Sequence, residues 1–233
     1  MNNPALQINN LTKNFKKTVA LDNLSLSVGH GEVFCLLGPN GSGKTTMINC
    51  VLSLLRPDSG QIKIFGLDNC IAMNHKTGVV LEKEGFFEDM TVEKNMEIIC
   101  KTKRCPTDDV QSLLEKVSLH DFKNKTVKKL SQGQKKRLSI AGSLIGNPDL
   151  IIWDEPYNSL DPDGFLLVRD ILSRLQDNRK TVLLATHLLD EAEKVATHIG
   201  LLYKGRIIKT STMREIKESY RSTEEFFFAN ISE

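Results

Sequence analysis

The stretch Gly38-Pro39-Asn40-Gly41-Ser42-Gly43-Lys44-Thr45-Thr46 fits the pattern G-x-x-x-x-G-K-[ST]. An apolar run, 33–37, leads into it, and apolar residues at helical spacing follow: Met47, Ile48, Val51, Leu52 and Leu55. A phosphate-binding loop of this kind lies between a strand and a helix, so the flanks agree with the motif. The stretch therefore predicts a strand, a phosphate-binding loop and a helix.

The chemistry of polyphosphates explains the residue types in this loop. Successive backbone N–H groups at a helix N-terminus offer hydrogen-bond donors and a favourable dipole to a group that carries several negative charges. Glycine allows the backbone to approach that group closely. Lys44 is expected to reach the β- and γ-phosphates, and the Thr45 hydroxyl is expected to ligate Mg²⁺. The alternative is a glycine-rich turn with a chance Lys-Thr pair, which the flanking strand and helix disfavour.

Composition bounds the class of protein. The chain has 233 residues, of which 40% are hydrophobic and 26% charged, as in an ordinary globular protein. Its 31 Lys and Arg residues nearly balance 29 Asp and Glu residues, so electrostatics give no support for a nucleic-acid partner. We interpret the basic groups 123–129 and 135–137 as solvated helix faces. No apolar run is long enough to span a membrane, and the start of the chain does not resemble a secretion signal.

The five cysteines are odd in number and have no C-x-x-C spacing. Reduced, mostly buried thiols in a cytosolic protein are the default expectation for such a set, which is Cys35, Cys50, Cys70, Cys100 and Cys105.

Two kinds of strand pattern occur early in the chain. Residues 21–28 alternate between apolar and polar side chains, which is typical of a half-exposed antiparallel sheet, and 5–8 are also strand-like. Residues 33–37 are apolar throughout, as in a parallel strand that is buried on both faces. The fold class is therefore predicted as α/β, with a central, mostly parallel sheet and an antiparallel β subdomain.

The later chain returns to alternating strands and helices after an interruption. We predict strands at 61–65, 78–81, 150–153 and 181–185, a hairpin at 199–203 and 206–209, and helices near 92–102, 108–118, 121, 134–145 and 162–177. Asp161 is the predicted N-cap of the last helix, with Pro162 at its first position, and a further helix is predicted to begin at His187. The tail, including Phe226-Phe227-Phe228, has no pattern that we can assign.

We predict a single domain over 1–233 with three additions to its core. The antiparallel β part covers about 1–35 and 55–75. An α-helical subdomain is inserted at about 83–145, since helices there interrupt the strand–helix alternation. A C-terminal hairpin and tail occupy about 198–233.

A second candidate site follows the apolar run 150–153. Asp154 and Glu155 lie at the carboxyl end of this predicted parallel strand, the edge where ligands bind in open α/β sheets. Asp154 would hold Mg²⁺, as the equivalent aspartate does in phosphate-loop enzymes, and Glu155 would be free to polarise an attacking water. Alternatively, Asp-Glu-Pro can simply end a strand, although the upstream phosphate loop makes this less attractive.

Over nearly its whole length the chain resembles the ATP-binding subunit of an ABC transporter. The most specific motif is Leu130-Ser131-Gln132-Gly133-Gln134, which is similar to the family's LSGGQ signature. Ser159-Leu160-Asp161 resembles its D-loop, His187 its switch histidine, and Phe15 lies where the family has an adenine-stacking aromatic residue.

The resemblance implies a role for each matching residue, with ATP and Mg²⁺ as cofactors. Phe15 would stack on adenine, unless it is a core residue of an edge strand. Ser131, Gly133 and Gln134 would bind the γ-phosphate of an ATP held by a second copy of the chain, so two copies, paired head to tail, would sandwich two ATP molecules. Asp161 would couple the two sites, and the catalytic residues would be Glu155, His187, Lys44 and Glu82.

Two positions depart from the family pattern. Gln132 replaces a glycine, so a backbone of positive φ there would be strained and would weaken the ATP sandwich. Glu82 replaces the usual glutamine of the Q-loop and could touch Mg²⁺ or the attacking water. Glu82, the segment 85–92 and Asp161-Pro162-Asp163-Gly164 are similar to ABC-2 type exporters, which include exporters of antibiotic and lantibiotic peptides.

The resemblance also implies partners and a location. Separate membrane permease subunits would dock near 82–91, where Phe86 and Phe87 offer apolar contact unless they are buried within the subdomain. The protein would then be cytoplasmic, at the inner face of the membrane, with no nucleic-acid partner.

Two other classes of phosphate-loop protein agree less well with the sequence. ABC ATPases that act on DNA or ribosomes are one alternative, but the chain has neither a long coiled coil nor a second cassette. A phosphate-loop kinase or GTPase is another, but the sequence lacks the guanine-reading Asn-Lys-x-Asp.

Overall fold

The computed structural model describes residues 3–68 and 76–231 and contains two sheets. Cys70 and the outer parts of the predicted β region and tail, 69–75 and 232–233, lie outside the described residues. The strands are β1 Leu6–Phe15, β2 Thr18–Val28, β3 Val33–Leu37, β4 Ser59–Ile64, β5 Leu67–Asp68, β6 Thr77–Val80, β7 Leu150–Asp154, β8 Thr181–Thr186, β9 His198–Tyr203 and β10 Arg206–Thr212.

The helices follow the predicted order, with two additions at the end. They are α1 Lys44–Val51, α2 Val92–Lys103, α3 Val110–Lys116, α4 Gln132–Leu144, α5 Pro162–Asp177, α6 Leu189–Val195, α7 Met213–Ser219 and α8 Thr223–Ile231, with short 3₁₀ turns at His120–Phe122 and Val127–Lys129. Along 3–68 and 76–231, none of these helices combines the length and apolar character needed to cross a membrane.

The combination of a parallel and an antiparallel sheet is confirmed. The described strands of the larger sheet have the order β10-β9-β3-β8-β7-β6, and β6, β7, β8, β3 and β9 run parallel. The smaller sheet has the order β2-β1-β4-β5 and is antiparallel. Alternation along 21–28 and the unbroken apolar run at 33–37 therefore distinguished the two sheets correctly.

Strand β3 separates two hydrophobic cores. Val33, Cys35 and Leu37 point to the core that includes α2, α4 and α5, whereas Phe34 and Leu36 point to the core shared by α1 and the antiparallel sheet. Successive side chains of a strand point to opposite faces, so a central strand of this kind must be apolar at every position. This arrangement places the end of β3 and the loop that follows it between the two layers.

Three predicted elements need correction. Strand β1 extends to Phe15, whereas the sequence predicts that it ends at Ile8. Register shifts after Ile8 and the left-handed backbone of Asn10 (φ 50°) interrupt the alternation of side chains, so the sequence pattern does not show the second half of the strand. The tail is wrongly left unassigned: it forms α7 and α8, with Phe226 buried in the core. The helix predicted to begin at His187 instead begins at Leu189.

Candidate functional site

The predicted phosphate loop connects β3 to α1. Gly43 precedes the helix with a φ of 113°, a left-handed conformation that favours glycine. A Cβ at this position would also lie 2.6 Å from the carbonyl oxygen of Ala20. The first N–H groups of a helix have no partner within the helix, so they are available to an anion at this point.

The loop borders a cavity of about 380 Å³. Its lining combines the loop with the ends of other strands: Thr18, Val19, Ala20, Asn40, Gly41, Gly43, Lys44, Thr45, Thr46, Glu82, Glu155, Asn158 and His187. The structure thus brings together the predicted catalytic residues Lys44, Glu82, Glu155 and His187. The sequence analysis did not predict that Asn158 and residues 18–20 line the cavity. Asn158 could have been suspected as a polar residue three positions after Glu155, and 18–20 as the segment that follows the turn after Phe15.

Lys44 occupies the centre of this region. Its Nζ donates to the carbonyl oxygens of Gly38 (2.7 Å) and Pro39 (3.4 Å) and lies 3.4 Å from Oε1 of Glu155. The side chains of Lys44 and Glu155 are both largely buried. An ammonium held in the loop by two carbonyl oxygens and a carboxylate is a preorganised donor, which suits it to bind a triphosphate.

Glu155 is held in an uncommon backbone conformation. Its φ is 48°, and its amide donates to the carbonyl oxygen of Ala185 at 2.9 Å. A left-handed conformation at a residue other than glycine costs of order 1 kcal/mol, and such strain clusters at functional sites. The turn directs the carboxylate between Lys44 and His187, whose Nδ1 lies 3.0 Å from Oε2 of Glu155.

His187 lies in the loop between β8 and α6. The hydroxyl of Thr186 accepts a hydrogen bond from the amide of Leu188 at 3.1 Å, which closes the turn around the histidine. The histidine side chain is 39% exposed, so one face remains open to the cavity while Nδ1 is engaged by Glu155.

Asp154, at the end of β7, is completely buried. Neither of its carboxylate oxygens has a hydrogen-bond partner of normal geometry among the residues described. Burial raises the pKa of this carboxyl group; the nearby Thr45 hydroxyl and Lys44 oppose the shift, and the carboxylates of Glu155 and Glu82 add to it. A buried, unsatisfied carboxylate beside a threonine hydroxyl is the donor set that Mg²⁺ prefers, so the residues present fit this metal.

Phe15 lies beside the cavity, and Glu82 is part of its lining. Phe15 ends β1 and pairs with Thr18, which lines the cavity. Its ring is 46% exposed, which rules out the alternative of a core residue, and Nζ of Lys13 lies 5.6 Å from the ring centroid. Glu82 follows β6 in a segment without regular structure and is exposed.

The signature motif lies at the start of α4. Ser131 is the N-cap: its hydroxyl accepts from the amide of Gln134 at 3.2 Å, and the Gln134 side chain accepts from the amide of Ser131 at 3.0 Å. This capping box leaves the serine hydroxyl able to donate to a ligand. Gln132 is not among the described residues of positive φ and lies in the first turn of the helix. The glutamine is therefore unstrained there, and the predicted weakening of the ATP sandwich by backbone strain is wrong.

A second cavity, of about 590 Å³, surrounds this helix start. Its lining includes the D-loop as well as the signature: Ser118, Leu119, Phe122, Ser131, Gln132, Gly133, Gln134, Arg137, Ser159 and Asp161. Asp161 accepts hydrogen bonds from Arg137 (2.7 Å) and from the amide of Gly164 (2.8 Å), so it caps α5 as predicted. Across the described parts of the chain, this lining and that of the phosphate-loop cavity have no residue in common.

The basic cluster at 135–137 is not the solvated face predicted. Lys136 is 2% exposed, and the side chains of Lys135 and Arg137 are 13% and 16% exposed. Their carboxylate partners are distant in sequence: Glu88 for Lys135, Glu84 for Lys136 and Asp161 for Arg137. The pattern of charges alone could not reveal these partners.

The fold and this site define a phosphate-loop nucleoside triphosphatase, in which an amide-lined turn faces an acidic strand end. The family model described as ABC transporter matches residues 21–158. The bacitracin transport ATP-binding protein BcrA of Enterococcus faecalis is 34% identical over 226 residues, 95% of this chain and 73% of that protein. The lantibiotic transport ATP-binding protein SrtF of Streptococcus pyogenes is 34% identical over 203 residues, 87% of this chain and 89% of that protein.

A solved structure of an ABC transporter cassette has a similar fold. The dimeric structure of MJ0796, a bacterial ABC transporter cassette, superposes with a TM-score of 0.84 at 26% identity and covers 90% of this chain and 99% of that chain. The chain therefore belongs to the ABC transporter family. It is an ATP-binding subunit of such a transporter and an ATPase.

Proposed function

We propose that this chain is the motor subunit of an ABC exporter, in which two copies pair head to tail, sandwich two Mg·ATP and drive separate membrane-spanning subunits. The observation that carries the proposal is the separation of two incomplete sites. The phosphate loop and Glu155 line one cavity, and the signature and Asp161 line the other. A second copy, turned head to tail, would complete each phosphate cavity with a signature helix.

Each residue of the phosphate cavity has a proposed role. The loop amides and Lys44 bind the β- and γ-phosphates, and the adenine stacks on the exposed ring of Phe15. Thr45, Asp154 and Glu82 would hold Mg²⁺, which would neutralise negative charge on the phosphates. Glu155 accepts the proton of the attacking water, and His187, 3.0 Å away, orients that carboxylate and contacts the γ-phosphate.

The signature site has a complementary role. The Ser131 hydroxyl and the first amides of α4, including Gly133, would donate to the γ-phosphate of the partner's ATP, with Gln134 holding Ser131 in place. Asp161, fixed by Arg137, would lie at the junction of the two sites. The structure of the similar cassette MJ0796 is dimeric, which supports an assembly of two copies.

Transport is supported by the names of the relatives, and export by one of them, the Nod factor export ATP-binding protein I of Ralstonia nicotianae, which is 33% identical over 91% of this chain and 68% of that protein. Besides the bacitracin and lantibiotic transport proteins, the relatives include a daunorubicin resistance ATP-binding protein of Streptomyces coeruleorubidus, 35% identical over 93% of this chain and 71% of that protein. We infer transport of an antibiotic-like or peptide cargo away from the cytoplasm, with the cargo contacted by the permease. Transport relatives also favour this function over an ATPase that acts on ribosomes or DNA.

The permease would dock on the segment that follows Glu82. Phe87 is 56% exposed and Met90 40% exposed, whereas Phe86 packs partly against the core. Exposed apolar side chains that lie together are typical of an interaction surface. The subunit would then work at the cytoplasmic face of the membrane, bound to the permease.

The variant Glu155→Gln tests the proposed catalysis. It should bind ATP with parental affinity, lose turnover by at least about 100-fold because the general base is gone, and accumulate an ATP-dependent dimer in size-exclusion chromatography. Glu224→Gln, an exposed glutamate on α8, is the matched control and should behave as the parent.

A second substitution tests the shared site. Ser131→Arg added to Glu155→Gln should abolish the dimer but leave binding of ATP to the monomer intact. Parental turnover in Glu155→Gln would refute the catalytic assignment, and a dimer that survives Ser131→Arg would refute the head-to-tail arrangement.

A further inference from the structure

Lys136 is a buried cation that the proposed catalysis does not use. It lies in the second turn of α4 and is 2% exposed. Its Nζ donates to the carbonyl oxygens of Leu81 (3.1 Å) and Glu82 (3.2 Å) and lies 3.0 Å from Oε1 of Glu84. Burial of an ammonium is costly unless it is paired and hydrogen-bonded, and here three oxygens of one loop supply that compensation.

Helix α4 approaches the edge strand β6 closely enough to make this contact. A Cβ on Gly78 of β6 would lie 2.1 Å from the carbonyl oxygen of Ser143, so only glycine allows the two backbones to meet. Ser143 and Lys136 are seven residues apart and therefore lie on the same face of the helix. Lys136 consequently reaches the point where β6 ends and the loop 81–91 begins.

The two carbonyl groups that Lys136 binds flank the Cα atom of Glu82. One belongs to the peptide before Glu82 and the other to the peptide after it, so a single ammonium fixes the backbone on both sides. The loop 81–91 has no helix or strand of its own. Its middle is held by Asn95, whose side chain accepts from the amide of Phe87 at 2.9 Å and donates to its carbonyl oxygen at 3.1 Å.

The cations next to Lys136 extend this connection. Lys135 pairs with Glu88 at 2.5 Å, and Arg137 pairs with Asp161 at 2.7 Å. Three successive residues of α4 therefore bind the start of the loop, its middle and the D-loop. These contacts connect the start of the signature helix, one turn away, to the backbone of Glu82.

We propose that Lys136 is a positioning residue for ATP hydrolysis, which orients Glu82 toward the phosphate cavity and couples that orientation to the signature helix. The proposal rests on the proposed function, in which Glu82 serves the Mg²⁺ and the attacking water. Lys136 touches none of the reacting groups and acts only through the backbone of the loop.

Lys136→Met is the main test, because methionine keeps the aliphatic stem and removes the charge and the donors. In steady-state ATPase assays well below the unfolding temperature, kcat should fall by about 10-fold or more, since a small displacement of a catalytic group is costly. KM for Mg·ATP should stay within about twofold of the parental value, because the phosphate loop is unchanged. The variant should also unfold at a lower temperature, since the Glu84 carboxylate, only 15% exposed, loses the ammonium that it pairs with.

The double variant Lys136→Met with Glu84→Gln separates positioning from stability. Neutralising Glu84 should restore the unfolding temperature, while kcat stays low because the carbonyl groups of Leu81 and Glu82 still lack their donor. Lys103→Met is the matched control: Nζ of Lys103 donates to the carbonyl oxygen of Ile145 at 2.9 Å, beyond the other end of α4, and its loss should leave kcat unchanged.

Two results would overturn the positioning role. One is a parental kcat in Lys136→Met, and the other is a kcat that recovers together with stability in the double variant. If Lys136→Met does not yield folded protein, the double variant carries the same test. Glu155→Gln, assayed in parallel, keeps the proposals apart, because parental turnover there contradicts the catalytic assignment and not the role of Lys136.

Discussion

Replacing Asp154 by asparagine should stabilise the metal-free protein. The parental carboxylate is completely buried, has no hydrogen-bond partner of normal geometry among the described residues, and has a raised pKa. Such a group lowers the stability of the fold until a cation binds it. Asparagine keeps nearly the same shape and removes the charge.

The size of this stabilisation follows from the free-energy costs of burying a carboxylate and of burying an amide. An incompletely paired buried charge costs several kcal/mol, whereas a buried amide without full hydrogen bonding costs about 1–3 kcal/mol. The net gain in the free energy of unfolding should be about 1–2 kcal/mol. For a chain of this size, each kcal/mol corresponds to about 2–4 °C in Tm, so Asp154→Asn should raise Tm by about 2–8 °C in the presence of EDTA.

The raised pKa of Asp154 also predicts how the stability difference between Asp154→Asn and the parent depends on pH. A carboxyl group whose folded pKa lies above its ordinary value of 3.8 destabilises the fold at neutral pH, and this penalty disappears as the pH falls and the group becomes protonated. The advantage of Asp154→Asn over the parent should therefore shrink as the pH approaches 3.8.

The assay is thermal unfolding in EDTA and again with saturating Mg²⁺ and a slowly hydrolysed ATP analogue. A ligand at 100 times its Kd stabilises the fold by about 2.7 kcal/mol, and Asp154→Asn should lose most of the part that depends on Mg²⁺. The matched control is Asp149→Asn, since Asp149 lies just before the start of β7. Partial burial acts to raise the pKa of Asp149, but the hydrogen bond and charge of Lys180 outweigh it and hold that pKa below its ordinary value, so the control substitution should lower Tm slightly.

Two outcomes would refute this reasoning. The first is a lower Tm of Asp154→Asn in EDTA, which would mean that the carboxylate is satisfied in the metal-free protein. The second is an undiminished response to Mg²⁺, which would mean that Asp154 does not hold the metal.

Three further predictions concern other parts of the molecule. Phe15→Ala should raise KM for ATP by about 5-fold or more without changing kcat, since stacking on a base contributes about 1–3 kcal/mol; an unchanged KM would contradict the adenine site. Glu191→Gln should cost about 1–2 kcal/mol in urea unfolding at neutral pH, because hydrogen bonds from Arg169 keep the Glu191 pKa low; the difference should shrink as the pH falls below the ordinary value of 4.5 and vanish once the pH is below the lowered pKa of the folded protein. Phe226→Ala should cost about 3–5 kcal/mol in the same assay, whereas Phe228→Ala, 56% exposed, should cost less than about 1 kcal/mol; equal effects would contradict the packing of the tail.

Signals within a short window of sequence predicted much of the fold. Helix α5 has the predicted bounds, Pro162–Asp177, because an N-cap, a proline at the first position and apolar periodicity are all local. The phosphate loop and the acidic end of β7 were found for the same reason. By contrast, α7 and α8 were missed although Thr212 and Glu215 form a capping box, since such short helices depend on packing against the rest of the chain.

By itself, the sequence determined where the phosphate loop and the acidic strand end lie, because residue type and spacing are local signals, and its resemblance to the ABC family located the signature. Only the tertiary structure decided how they meet. The left-handed backbone of Glu155 places its carboxylate between Lys44 and His187, and Lys136 is buried against a loop more than fifty residues earlier in the chain. These contacts join residues far apart in sequence, and they depend on strand order and helix packing, which no local pattern encodes.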